Sequence, residues 1–95
     1  MFVVLLKFSD NKDQASEFMY DHNQWIKRGL DDKVFLLVGS LQPNLGGSII
    51  AHNVSLSELK ARIEEDPFVE KSIVTAEILE ISPKKADERL QFLLD

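Results

Sequence analysis

Two polar residues, His22 and Asp66, occupy positions where the sequence pattern predicts the buried face of a helix. Around His22 the apolar residues recur at three- and four-residue intervals, which indicates a helix over about 13–30. Residues 56–63 show a similar stripe, and Asp66 falls at the next position on that face. A buried carboxylate and a buried imidazole that meet each stabilise the charged form of the other, so they can form a general acid/base pair.

The residue after Asp66 is a proline, Pro67. Because proline has no amide hydrogen and pushes the preceding residue toward an extended conformation, we expect Asp66 to be the last residue of the second helix. A carboxylate there lies at the negative end of the helix dipole and needs a cation or a hydrogen-bond donor close by. The alternative is an ordinary Asp-Pro turn with a hydrated carboxylate.

The composition excludes several classes of protein. The chain has 95 residues, no cysteine and a net charge of −5. This length predicts one domain, and the lack of cysteine excludes disulfides, thiolate catalysis and cysteine-based metal sites. The negative charge argues against nucleic acid and anionic membrane surfaces as partners. The apolar N-terminal segment is too short to cross a bilayer, so we expect a cytoplasmic protein.

The remaining pattern predicts four strands and three helices. We expect strands at 2–8, 34–41, 48–54 and 73–81. The first strand is apolar at nearly every position, which is typical of a central strand, and residues 42–47 form the turn of a hairpin. Ser55 to Glu58 have the S-x-x-E form of a capping box that opens the second helix. Ser82 and Pro83 are expected to start a terminal amphipathic helix.

The order of elements is βαββαβ followed by a C-terminal helix. Two right-handed crossovers joined by a hairpin predict an α+β, ferredoxin-like fold, in which a four-stranded antiparallel sheet carries both helices on one face. This domain spans 1–82, and 83–95 form the added helix. Because such apolar strands would expose a large patch on the other face, we expect a homodimer that packs sheet to sheet. The pattern leaves open whether the terminal helix packs on its own sheet or reaches the partner.

Four segments carry a resemblance to a known family: His22 in the first helix, 36–40 in the second strand, 47–50 after the hairpin, and 65–68 with its Asp-Pro-Phe step. Together they resemble the YciI-like (YCII-related) family over about residues 1–82. The resemblance implies a ferredoxin-like fold, dimerisation through the sheet faces as in dimeric α+β barrel proteins, and a His–Asp pair in a pocket. Here that pair is His22 and Asp66. This chain differs in its short hairpin and its added terminal helix.

Four more residues are candidates for contacts with a substrate. Gly39 and Ser40 match the small residues that the family has at the end of the second strand. We expect the Ser40 hydroxyl to donate a hydrogen bond to a substrate oxygen and the Gly39 N–H to approach it closely. Trp25 and Phe68 are candidates for an apolar wall, with ordinary core or dimer-interface packing as the alternative. The second histidine, His52, is expected at the surface or at an edge.

Two function classes remain. The first is a small enzyme of the lyase, isomerase or hydrolase type, in which His22 and Asp66 transfer protons on a small metabolite. The second is a non-catalytic dimeric module that binds a small ligand or an interaction partner. The two classes differ in what loss of His22 would remove, namely turnover in the first and stability or affinity in the second.

Other functions of proteins with this topology are disfavoured by the residues present. The third strand lacks the stacking aromatics of RNA-binding domains. Acylphosphatase chemistry needs an arginine near the first turn, and the arginines are Arg28, Arg62 and Arg89. Neither G-x-G-x-x-G nor a P-loop occurs, so no NAD, FAD or ATP is expected as a cofactor. The two histidines lie on different elements without a third ligand, which argues against a metal site.

Overall fold

A computed structural model describes residues 1–94 of the chain. Its four strands are β1 (Phe2–Phe8), β2 (Phe35–Leu41), β3 (Gly46–Ala51) and β4 (Val74–Glu80). Its helices are α1 (Ala15–Asp31), α2 (Leu56–Glu64) and the single turn α3 (Pro67–Glu70), with 3₁₀ helices at Lys12–Gln14 and Glu88–Leu93. Among the helices of residues 1–94, none is long and apolar enough to cross a membrane.

The strands form one antiparallel sheet in the order β2-β3-β1-β4. This is the ferredoxin-like arrangement, and β1 is central, as the sequence predicts. Phe2, Val4 and Leu6 of β1 are buried on the face that carries the helices. The intervening residues Val3 and Leu5 remain half-buried on the opposite face. The sheet therefore has one face in the core and one apolar face outside it.

The core joins α1 to the sheet and to α2 through Trp25, which is 1% exposed. The Trp25 indole packs edge-on against Phe35 of β2, with 5.1 Å between the ring centroids. Its Nε1–H donates a hydrogen bond of 2.9 Å to the carbonyl oxygen of Arg62 in the last turn of α2. The Ser55–Glu58 capping box is present as predicted and defines the start of α2. These contacts fix the two longer helices relative to each other.

The predicted end of the second helix is wrong. Helix α2 ends at Glu64, and Asp66 has the extended dihedrals φ −67° and ψ 122° that a following proline favours. Asp66 is the N-cap of α3 instead, because Pro67 is well suited to the first position of a new helical turn. Its carboxylate therefore lies at the end of a helix where negative charge is favourable.

The predicted terminal amphipathic helix is also absent from the described part of 83–95. Residues 82–87 have no regular structure, and the following 3₁₀ helix has a non-helical residue, Leu90 (φ −114°, ψ 15°), inside it. None of its residues is buried. A short apolar stripe forms a stable helix only when packing buries it, and here the contact of Phe92 with His52 leaves every residue of the 3₁₀ helix at least partly exposed. Asp95 lies outside the described residues.

Gly29 allows α1 to lie directly against β2. A Cβ atom at this position would overlap the ring of Phe35, which is itself held against Trp25. We therefore expect Gly29→Ala to destabilise the fold by about 1–3 kcal/mol, although alanine has the better helix propensity by about 1 kcal/mol. Urea unfolding followed by circular dichroism measures this difference.

The matched control is Gly39→Ala, because a Cβ atom at Gly39 meets no atom within 4 Å. Its free energy of unfolding should stay within about 0.5 kcal/mol of the wild-type value. Equal stability of the Gly29 and Gly39 variants would contradict the close packing of α1 on Phe35.

Candidate functional site

The structure brings His22 and Asp66 into direct contact. The distance between His22 Nδ1 and Asp66 Oδ1 is 2.7 Å. The Asp66 side chain is completely buried, and the His22 side chain is 12% exposed. The pair thus has one member inside the core and one that reaches the edge of solvent. A catalytic role for the two residues remains a prediction.

The Asp-Pro-Phe step explains why Asp66 faces His22. Pro67 ends the extended segment at Asp66 and begins α3, so the Asp66 carboxylate can turn back on the new helix. There its Oδ1 atom accepts a hydrogen bond of 3.0 Å from the backbone N–H of Phe68. The same oxygen accepts the hydrogen bond from His22 in the middle of α1. The Oδ1 atom of Asp66 therefore both caps α3 and binds the His22 ring.

This arrangement determines which ring nitrogen of His22 is available to a ligand. An ionised carboxylate can only accept hydrogen bonds, so Nδ1 must carry the hydrogen shared with Asp66 Oδ1. In the neutral ring, Nε2 is then the unprotonated nitrogen, and it has no hydrogen-bond partner among residues 1–94. The other carboxylate oxygen, Asp66 Oδ2, is buried and likewise has no partner among the described residues.

Phe68 fixes the plane of the His22 ring. The two rings stack with 3.9 Å between their centroids and an angle of 4° between their planes. Trp25 lies farther away, with 6.0 Å between its ring centroid and that of His22. With Asp66 bonded at its edge and Phe68 stacked on its face, the imidazole is held in one orientation.

A cavity of about 290 Å³ lies beside His22, between α1 and the sheet. Its lining is largely apolar and includes Leu6, Met19, Ile26, Val38, Ile49 and Phe68. Polar side chains in the lining come from His22, Asn23 and Ser40, whereas the Ser48 hydroxyl lies on the opposite face of the sheet and donates a hydrogen bond to the Gly39 carbonyl oxygen. A small, mostly apolar cavity with a few polar groups is typical of sites for small molecules.

The predicted site residues differ in their relation to this cavity. Gly39, Ser40 and Phe68 line it together with His22. Trp25 is not among the lining residues and lies in the core behind His22, which is the alternative considered for it. His52 is half-buried after β3, where its ring contacts Phe92 at 5.6 Å between centroids. Direct contact of Gly39, Ser40 or Phe68 with a substrate stays a prediction.

Several lining residues were not predicted. Met19 lies three residues before His22 on the same face of α1, so helical periodicity alone could have identified it, and Asn23 lies four residues after Met19. Gly47 and Ser48 come from β3, and only the strand register shows that they lie near the helix. Within the described chain, no group of three or more His, Cys, Asp or Glu side chains is arranged to bind a metal ion.

The fold is shared with an enzyme of known structure, 5-chloro-2-hydroxyhydroquinone dehydrochlorinase from Burkholderia phenoliruptrix AC1100 in complex with 2,5-dihydroxybenzoquinone. The TM-score is 0.69, and the match covers 85% of this chain and 93% of that chain at 12% sequence identity. This similarity confirms the predicted fold. No family model and no curated protein matches the sequence. The structural match shows the fold alone, so membership of the YciI-like family remains a prediction.

Loss of the Asp66 carboxylate should weaken the whole fold. Asp66→Ala leaves the Phe68 N–H and the His22 Nδ1–H without an acceptor, so we expect a loss of about 2–4 kcal/mol in the free energy of unfolding. Asp66→Asn keeps an amide oxygen as acceptor and should lose less. Urea unfolding of the three proteins at neutral pH measures these differences.

The control is Asp31→Ala, which removes an exposed ion pair with Lys27 of 2.9 Å. Its effect should be below about 1 kcal/mol. An Asp66→Ala protein as stable as the Asp31→Ala protein would show that the buried carboxylate has no structural role.

Proposed function

We propose that this chain is a small enzyme of the lyase, isomerase or hydrolase type that uses His22 and Asp66 for proton transfer on a small metabolite. The observation that carries this proposal is the 2.7 Å hydrogen bond between His22 Nδ1 and a buried carboxylate, with His22 at the wall of a cavity. A histidine oriented in this way by a carboxylate is a common general base in enzymes.

In the proposed reaction, His22 Nε2 takes a proton from an acidic O–H or C–H group of the substrate. The ring then carries a positive charge, and Asp66 stabilises it through the hydrogen bond at Nδ1. The same nitrogen returns the proton to another atom of the substrate or to the leaving group. Phe68 keeps the ring plane in place during both transfers.

The residues of β2 supply the polar contacts in this proposal. The Ser40 hydroxyl donates a hydrogen bond to a substrate oxygen, and the backbone of Gly39 lies next to it in the cavity wall. Both residues line the cavity that contains His22. They would stabilise negative charge that develops on the oxygen when His22 removes a proton.

The structural neighbour supports this reaction class. Its name describes the loss of hydrogen chloride from a chlorinated hydroxyhydroquinone, a reaction in which a proton and a chloride ion leave the substrate. A histidine base of the kind proposed here would serve such a step. We extend the reaction class to this chain as a proposal, together with membership of the YciI-like family.

The direct test compares wild type with His22→Gln. Two assays suit the proposal: chloride release from 5-chloro-2-hydroxyhydroquinone, and exchange of the α-hydrogens of cyclohexanone in D₂O followed by proton NMR. Loss of the base should reduce turnover by about 100-fold or more. His52→Gln, which changes the histidine outside the cavity, should keep wild-type turnover.

Equal turnover in the His22→Gln and wild-type proteins would reject His22 as the base. If the wild-type protein binds these compounds without converting them, the non-catalytic ligand-binding module becomes the better description. The His22 variant should then change affinity or stability alone.

We also propose that the chain forms a homodimer through the sheet face opposite the helices. The strand register aligns Leu37, Ile50, Val3 and Leu79 in a row across all four strands on that face. Leu37 is 55% exposed and Leu79 is 43% exposed. A continuous apolar row of this kind is typical of a surface that a partner covers.

Light scattering should therefore give a mass of twice the 10.8 kDa chain. Leu37→Glu places a charge at the β2 end of the row, on its most exposed residue, and should convert the dimer to a monomer. Leu45→Glu is the matched control, because Leu45 is 49% exposed in the hairpin turn outside the row. A monomeric wild-type protein, or a Leu37 variant with the mass of a dimer, would contradict the proposed interface.

A further inference from the structure

The cavity beside His22 is lined without lysine, arginine, aspartate or glutamate from the described residues. His22 is the ionisable side chain of the lining, and its Nδ1–H is engaged by Asp66. While the His22 ring is neutral, an anionic ligand that entered would lose its hydration without meeting a cationic side chain. It would also approach the buried carboxylate of Asp66 behind the imidazole.

A cationic ligand likewise meets no anionic side chain among the described lining residues. The Asp66 carboxylate is completely buried, and its Oδ1 atom already accepts two hydrogen bonds. The His22 ring lies between that carboxylate and the cavity. The groups that remain for a ligand are neutral donors and acceptors such as the Ser40 hydroxyl and the Asn23 amide. The electrostatics of the cavity therefore favour a compound without charge.

Gly47 keeps the sheet side of the cavity open. It pairs with Leu6 of β1 and Ser40 of β2, both of which line the cavity. A Cβ atom at Gly47 would meet only the carbonyl oxygen of Gly39, at an ordinary contact distance of 3.6 Å. The fold thus has room for a side chain at this position.

The neighbouring glycine differs in this respect. Gly46 has φ +132°, and a Cβ atom there would overlap the carbonyl of Leu6 in β1. The backbone therefore requires glycine at position 46. No such requirement applies to Gly47, so the missing side chain at Gly47 affects the cavity and not the strand.

We infer that the cavity binds an uncharged, largely apolar compound of about one ring and that Gly47 sets its size limit. The volume of about 290 Å³ lies at the small end of the range for small-molecule sites. The inference rests on the proposed function for the choice of this cavity as the active site. Binding itself requires no reaction, so the two proposals can be tested separately.

Three ring compounds of similar size and different charge test whether the cavity prefers an uncharged ligand. Benzamide is neutral, benzoate is an anion and benzylamine is a cation at neutral pH. We expect benzamide to shift the NMR signals of His22, Ser40 and Gly47 in the ¹⁵N-labelled full chain, and the two ions to bind at least tenfold more weakly. Binding of either ion as strong as that of benzamide, or no binding of benzamide, would overturn the inference.

Substitution of Gly47 tests whether this residue sets the size limit of the cavity. Gly47→Val should weaken benzamide binding at least tenfold, and Gly47→Ala should have an intermediate effect. Thr75→Val, which is exposed on β4 and does not line the cavity, is the control and should bind as the wild type does. Urea unfolding checks that each variant is folded, and if Gly47→Val does not fold, the alanine variant decides. Unchanged affinity in the folded Gly47 variants would overturn the role of this residue.

The outcomes separate this inference from the proposed function. Neutral-ring binding without any turnover that depends on His22 would leave the inference intact and reject the enzyme. Turnover that depends on His22 with an anionic substrate would retain the enzyme and reject the selection against charge.

Discussion

The structure of this site depends on one buried carboxylate. Asp66 is completely removed from solvent, and a charge in that position is stable only if donors compensate for its lost hydration. Two N–H groups do so at Oδ1, one from the backbone of Phe68 and one from His22. The carboxylate therefore links α1 to the start of α3, and the proposed catalytic pair is part of the framework of the fold.

Packing around this pair leaves the imidazole little freedom. Phe68 belongs to the same short helix that Asp66 caps, so a single Asp-Pro-Phe step supplies the acceptor for the His22 ring, the turn of the chain and the surface on which the ring stacks. Trp25 holds the adjacent part of α1 to α2 through its bond to Arg62. The orientation of His22 is thus determined before any ligand binds, which is what an efficient proton-transfer site needs.

The shared fold and the local site carry different kinds of information. A TM-score of 0.69 at 12% identity relates this chain to a dehydrochlorinase by architecture. Architecture alone supports many chemistries, and the proposed function rests instead on the geometry at His22 and on the neutral lining of the cavity. The same fold also leaves an apolar sheet face outside the core, which is why the proposed dimer and the proposed active site lie on opposite sides of the sheet.

The sequence by itself determined the βαββαβ order of the four strands and two longer helices, the central position of β1 and the candidates His22 and Asp66. These follow from periodicity and from the local chemistry of proline and the capping box, which act within a few residues of the chain. Local rules failed where two outcomes differ only through packing. Pro67 predicted an interruption, but it did not show whether Asp66 ends α2 or begins α3. The terminal apolar stripe likewise gave no sign that none of its residues would be fully buried.

Only the tertiary structure decided the distance between His22 and Asp66, because that distance depends on how α1 lies beside α3 and on the contacts of Trp25 and Gly29 that fix it. It also brought Gly47 and Ser48 of β3 to the cavity, since strand register joins residues far apart in sequence. Trp25 shows the same limit, because its place on the face of α1 was predictable and its position behind His22 was not. Sequence periodicity identifies which residues face inward, and the packing of whole elements decides which of them meet.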